Sequence, residues 1–359
     1  MSPALEEITK LIQETLGKKP RIALLEKAIN IAESDKNFEK ADDLREDLVW
    51  DAIEGGYPLK AIVAYSQRLK YADDHPDEVF LYSLIWSYKW ILSQVPRFHQ
   101  VSYQQIFDMA TDFKERVLAW GDNLSSYYTM RFQIALFMGD LEALEEFYEL
   151  RKKTPSGSMN DCSACVVDDF VFYFSMFKSY EETEKEAEDI LQGRRSCQSV
   201  PEVTYKSLIK SALLHKKIEQ AEKFRKKAYR LISHKEKYLG AIGFHIITHL
   251  MQGKESSALT LFKKHYSWSL NTANNGIAFM EFYLGSYLLF QQLRKKGQKK
   301  VKLSFDIEGV AEKMKMTDID LLENHFHRQT LDLVRKFDVR NRNSYYQEQT
   351  NTFIGLFNS

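Results

Sequence analysis

Four positions near the middle of the chain, Leu144, Thr183, Ala221 and Ala258, recur at intervals of 39, 38 and 37 residues. Each follows a turn residue by five and precedes a second packing residue by four. The sets are Gly139, Leu144 and Tyr148; Lys178, Thr183 and Ala187; Lys216, Ala221 and Arg225; Gly253, Ala258 and Phe262. Gly56, Ala61 and Tyr65 form an earlier copy, and "KNFEKADDLREDL" centres another on Ala41. A period of this length accommodates two antiparallel helices and their turns. The small residue lets the paired helices approach, and the larger one packs against the next pair. One pair cannot bury its apolar face alone, so the pairs must stack.

Composition agrees with a helical array. Gly (15) and Pro (7) are scarce in 359 residues, which favours long helices and short turns. Hydrophobic residues make up 44% and charged residues 28%, as in a globular protein. The net charge is zero, which argues against a general nucleic-acid partner, since such binders carry a basic excess. No run of 18 uncharged apolar residues occurs, so no membrane partner is expected. The N-terminal "MSPALEEITKLIQETLGKK" lacks the apolar core of a secretory signal. Three cysteines do not make a disulfide framework. These features together lead to the expectation of a reduced, cytoplasmic protein.

The repeat pattern resembles tetratricopeptide repeats, with a longer period than the usual 34. More narrowly, four stretches resemble a bacterial family of stand-alone tetratricopeptide-repeat proteins of obscure function. They are "PRIALLEKAINIAE" (20–33), "SLIWSYKWILSQVPRF" (83–98), "DCSACVVDDF" with "CQSVPEVTY", and "RKFDVRNRN" (335–343). The resemblance implies an all-α fold: a TPR-like α-solenoid of antiparallel helix pairs forming a right-handed superhelix. It implies no catalytic activity. The array is expected over 1–304, and a C-terminal helical cap over 305–359. Within the cap, helices are expected near 305–314 and 317–337, with 338–359 as a polar tail. By the same resemblance, the first helices of successive repeats line a concave face that takes a protein or peptide ligand. Polar and aromatic residues expected there are Tyr127, Arg131, Asp169, Tyr173, Tyr205 and Lys206.

The cysteines cluster in sequence. Cys162 and Cys165 form a C-x2-C pair, and Cys197 lies 32 residues beyond Cys165. The pair is a common half of a zinc site. One repeat apart on a solenoid, the two turns are neighbours, so Cys197 is a candidate third ligand. In the resembling family a His usually follows the Val-Pro of the second motif; here that position is Glu202. Glu202 or Asp161 could supply an oxygen as fourth ligand, although carboxylates are rare in closed structural sites. Three readings remain open: a zinc site, a packed thiol cluster able to oxidise, and a catalytic redox pair. The last lacks a thioredoxin-like βαβ context.

Other candidates each have a plainer reading beside the functional one. Tyr82, Trp86 and Trp90 are spaced i, i+4, i+8, either an aromatic groove wall or inter-repeat core. Arg97 and His99, beyond Pro96, are expected in an exposed loop. His245 and His249 share a helix face at metal-binding spacing, but no Glu follows His245 as in zinc proteases. The run "RKKGQKKVK" (294–302) carries six cations, suited to an acidic partner or to plain solvation. "RKFDVRNRN" suits either ligand backbone or helix capping. No phosphate loop, dinucleotide fingerprint or nucleophile elbow is present.

The chain is therefore expected to be a non-catalytic protein- or peptide-binding scaffold without a resident cofactor, unless the cysteines hold zinc. A peptide-responsive helical-repeat regulator and a thiol- or zinc-dependent enzyme are the alternatives. Solenoid ends with exposed apolar faces would give a homo-oligomer.

Overall fold

The computed structural model describes residues 2–55, 57–270 and 275–357. Gly56, the turn residue of the earliest complete repeat copy, lies outside the described residues. Among the described residues are eighteen α-helices and one two-stranded ribbon, so the chain is all-α as expected. None of these helices is long and apolar enough to cross a membrane.

The chain divides into two compact units, with the break between Asn160 and Asp161. The expected boundary at 304/305 falls inside the second unit. The first unit holds α1 (Pro3–Glu14), α2 (Lys18–Ser34), α3 (Phe38–Gly55), α4 (Pro58–Asp74), α5 (Leu81–Gln94), α6 (Tyr103–Ala119), α7 (Ser125–Met138) and α8 (Leu141–Lys153). Sequence neighbours pack together, α2 on α3, α3 on α4 and α7 on α8. Apolar residues at helical spacing explain why: Leu5, Ile8 and Ile12 give α1 one buried stripe. Side-chain caps fix several starts. Ser102 and Gln105 form a capping box on α6, and Asp140 accepts from the Ala143 N–H at 3.1 Å to begin α8.

The second unit holds α9 (Ser163–Phe177), α10 (Tyr180–Glu186), α11 (Glu188–Leu191), α12 (Glu202–Leu214), α13 (Ile218–Ile232), α14 (Leu239–Met251), α15 (Glu255–His265), α16 (Gly276–Lys295), α17 (Ile319–Asn341) and α18 (Tyr345–Gly355). Residues 239–250 of α14 are all buried, so this helix is enclosed on every side, with His245, Thr248 and His249 the polar residues among them. It packs on α12, α13, α15 and α16. A helix of this composition belongs in a core.

The repeat has a backbone signature. Lys36, Gly139, Lys216 and Gly253 all adopt left-handed φ, at 55°, 68°, 56° and 68°. Each stands five residues before a buried Ala41, Leu144, Ala221 or Ala258. A left-handed residue closes one helix and reverses the chain, and the next helix begins two residues later. Lys178 is the exception: it is extended, and a Ser179–Glu182 capping box opens α10 instead.

Two C-terminal expectations are corrected. Residues 305–314 are not helical. They form the loop of a ribbon in which β1 (Lys300–Lys302) pairs antiparallel with β2 (Met316–Asp318). Val301, Leu303 and Ile307 are buried while Lys302, Ser304 and Asp306 are exposed, a period of two that belongs to extended chain. Gly309 at φ +69° and an Ile307–Ala311 bridge tighten the loop. The polar tail is largely helical. Arg342, left-handed at φ 63°, ends α17. The Asp338 carboxylate then accepts from the N–H groups of Tyr346 and Gln347, each at 2.9 Å. "RKFDVRNRN" thus supplies a helix end and the cap of α18.

Candidate thiol centre and polar cluster

The three cysteines converge in the second unit. Cys162 is the N-cap residue of α9 and Cys165 is its third helical residue. Cys197 sits in the loop before α12, where its N–H donates to the Val200 carbonyl at 3.2 Å. Cys162 Sγ and Cys165 Sγ are 3.5 Å apart, and so are Cys165 Sγ and Cys197 Sγ. All three sulfurs lie within 4.8 Å of one another. They are free thiols. Beneath them Ala164, Ile190 and Val200 form a small buried cluster, with Val167 and Val203 against it. Cys162 is exposed; the other two are half-buried.

The environment treats the thiols differently. Burial, followed by the two neighbouring thiols, pushes Cys165 well above its ordinary pKa. Burial pushes Cys197 up as well, but N–H groups of Ser199 and Val200 and the Cys165 thiol outweigh it and hold Cys197 below the ordinary value. Backbone donors aimed at a sulfur favour its anion. Glu202 does not join this group. It is the first residue of α12, and its carboxylate accepts from Lys235 Nζ at 2.9 Å.

A second cluster surrounds Lys206. Lys206 and Lys210 are i and i+4 on α12, hence on one face. Lys206 Nζ donates to Glu281 Oε2 of α16 at 2.6 Å. Both ammonium groups lie near the Phe244 ring of α14, at 5.9 and 5.8 Å from its centre. Three glycines make room. A Cβ on Gly240 would lie 2.1 Å from Glu281 Oε2, and one on Gly243 would lie 2.2 Å from the Glu281 carbonyl oxygen. A Cβ on Gly285 would lie 2.6 Å from the Gly243 carbonyl oxygen. The bare backbones of α14 and α16 therefore touch, and the carboxylate rests where a side chain would stand. Burial, joined by the Lys206 charge and opposed by Glu281, brings the Lys210 amine down to about 7. Tyr345 of α18, whose hydroxyl is raised by burial and by Glu281, lies tilted against Phe177 with ring centres 6.4 Å apart.

The other residues expected at a ligand face are distributed as follows. Tyr127 and Arg131 belong to the first unit. The Arg131 guanidinium lies 5.1 Å from the Phe107 ring and 4.6 Å from the Phe147 ring, and donates to Tyr127 Oη at 2.9 Å. In the second unit Asp169 is half-buried, whereas Tyr173 and Tyr205 are buried, the latter against Phe224. Lys206 alone of the six stands in the polar cluster just described.

Of the plainer candidates, Tyr82 and Trp86 stack with centres 6.0 Å apart and Trp120 joins them at 5.9 Å, while Trp90 turns to Trp50. Arg97 and His99 are half-buried rather than exposed, and Arg97 lies over the Phe137 ring at 4.3 Å. His245 is fully buried with neither ring nitrogen partnered. Among the described residues, the only group of three or more ligating side chains with metal spacing is the cysteine triad. Within 294–302, Arg294 pairs with Glu323, Lys296 pairs with Glu255 and Lys295 donates to the Phe357 carbonyl. Half of that basic run is thus engaged inside the unit.

Lys210, Glu281 and the three glycines were not singled out from the sequence. Two signals were present: lysines at i, i+4 in "YKSLIKSALL", whose other residues carry no charge, and glycines inside two helices. Comparison with family models, with curated proteins and with solved structures returned no match for this chain.

Proposed function

We propose that this chain is a non-catalytic peptide- or protein-binding module of tetratricopeptide-repeat type, built as a solenoid of antiparallel helix pairs. The left-handed turn placed five residues before a buried small or apolar residue, four times over, supports the repeat reading. The reading includes a cytoplasmic setting, where three thiols stay reduced.

The observation that carries the binding reading is Lys210. It is a half-buried amine with no direct salt bridge among the described residues, next to Lys206 and within reach of the Phe244 ring. Burial there favours the neutral amine against the pull of Glu281, so its charge is only partly supported by the protein. The amine at about 7 becomes fully charged when an anion docks beside it. The ligand class is therefore a carboxylate-bearing segment, held by Lys210 and Lys206. A few such anchors supply most of the energy of a peptide complex.

Calorimetric titration with a panel of peptides tests this, each made with a free and an amidated C-terminus. We expect binding by a subset of free-carboxylate or acidic peptides. Lys210→Met should weaken it at least tenfold, with the fold unchanged by circular dichroism. No binding by any peptide, or binding indifferent to Lys206→Ala and Lys210→Met together, would sink this assignment.

A further inference from the structure

The thiol triad supports a second assignment that is independent of any peptide. We propose that Cys162, Cys165 and Cys197 hold one thiophilic divalent cation of the Zn2+ class through three thiolates, and that its fourth coordination position is filled by a small molecule from solvent.

Three observations carry this. The first is spacing. An ion about 2.3 Å from each sulfur of a tetrahedron sets the sulfurs about 3.8 Å apart. Two of the three sulfur pairs here are at 3.5 Å and the third is within 4.8 Å. Shifts of tenths of an ångström in two pairs and up to about 1 Å in the third bring all three onto one ion. The second is the surroundings of the sulfurs. Cys162 and Cys165 stand at the positive end of α9, a helix of 15 residues. Unpaired N–H groups there favour anionic ligands. The Cys197 sulfur receives N–H groups of Ser199 and Val200. Donors of this kind orient a metal ligand and offset its charge. A disulfide would use two sulfurs and leave one; a cation engages all three alike.

The third observation concerns the fourth position. A closed structural site needs a fourth protein ligand. Glu202 is bound to Lys235, which leaves its carboxylate compensated without a metal. Cys162 is exposed, so solvent reaches the triad. Three protein ligands with one solvent-facing position is the arrangement of a site that exchanges its fourth ligand. Soft three-sulfur donors choose zinc and its thiophilic relatives over magnesium or calcium.

The test uses the full-length untagged chain, purified under reducing conditions. Elemental analysis is paired with thiol titration before and after chelator. Cobalt(II) is then added to the stripped protein and followed by absorption. We expect one zinc per chain, and three thiols shielded until chelator is added. The cobalt form should show tetrahedral ligand-field bands with sulfur-to-cobalt charge transfer. Those bands should shift when 2-mercaptoethanol or imidazole is added, and should be the same in Glu202→Gln. Three freely reacting thiols with no metal above that of a Cys162→Ser/Cys165→Ser/Cys197→Ser control would overturn the site. So would a Cys162–Cys165 disulfide in the protein as isolated. A cobalt spectrum indifferent to added ligands, and lost in Glu202→Gln, would overturn the open position. The wild-type titration decides these points even where the triple variant does not fold.

Discussion

Helices α3 and α4 of the first unit meet through charge, whereas α14 and α16 of the second meet through bare backbone. Between α3 and α4, Arg68 donates to Asp42 at 3.2 Å and to Glu46 at 3.0 Å. Arg45 reaches Gln67 at 3.0 Å and also pairs with Glu33. Asp42, Arg45 and Arg68 are all buried. Burial raises the Asp42 carboxyl even with Arg68 and Arg45 beside it, so desolvation outweighs the pairing there. Between α14 and α16 there is no charge to desolvate at the contact of Gly243 with Gly285, and no side chain to move aside. Long charged side chains can repack around a change; two touching backbones cannot. The first interface is costly to unpair, and the second is intolerant of volume.

The largest effect should come from adding volume where the backbones touch. Gly243→Val places carbon atoms against the Glu281 carbonyl, which cannot swing away as a side-chain tip would. A loss of roughly 4 kcal/mol or more is expected, read as loss of soluble protein or a collapsed thermal transition. A variant that melts like the parent would show that α14 and α16 can separate without cost.

Acidification should separate the two regions next. Burial brings His249 and His265 down to about 4, with Arg225 near the first and Lys264 near the second acting in the same sense. Burial places His245 well below its usual value. An unfolded histidine titrates near about 6.5. Below that pH the unfolded chain takes up protons that the folded chain refuses, so stability is full above about 6.5 and falls as pH drops toward 4. The total is on the order of a few kcal/mol. Asp42 has the opposite sign, since its raised carboxyl takes up a proton more readily when folded. Hydrogen exchange at pH 7 and pH 5, corrected for intrinsic rates, should show α14 and α15 losing protection before α3 and α4. Equal loss in both regions would contradict the assignment.

Unpairing the charged interface is expected to cost about 3 kcal/mol. Arg68→Met leaves Asp42 buried without its hydrogen-bonded partner; adding Asp42→Leu should return most of the loss in urea unfolding. If the double variant is worse than the single, Arg68 acts through packing rather than charge. The smallest effect belongs to the repeat turn. Gly253→Ala meets no atom within 4 Å, so only the strain of φ +68° remains. That strain is worth about 1 kcal/mol. The reverse change, Lys216→Gly, should be neutral or slightly stabilising in the same assay.

The helical class, the turn positions and the small residues behind them were legible because they repeat locally. Gly139, Lys216 and Gly253 could be read as turns from five-residue spacing alone, and all three have left-handed φ. The meeting of Cys197 with the C-x2-C pair was also legible, from the expectation that turns one period apart are neighbours. The ribbon at 300–318 was missed, although Val301, Leu303 and Ile307 alternate, because the alternation is short and lies between two helices. Tyr173 and Tyr205 looked like surface aromatics and are core.

What the sequence determined by itself was what each residue does with its near neighbours: helix, turn, cap and period. The tertiary structure alone decided that Glu202 answers to Lys235, that Glu281 fills the space above Gly240, and that Lys206 rather than Lys210 takes the direct bond to Glu281. Those outcomes depend on which side chain arrives from a helix up to 75 residues away, as Glu281 does at Lys206. Burial and pairing energies are set by that arrival, and periodicity along one helix carries no record of it.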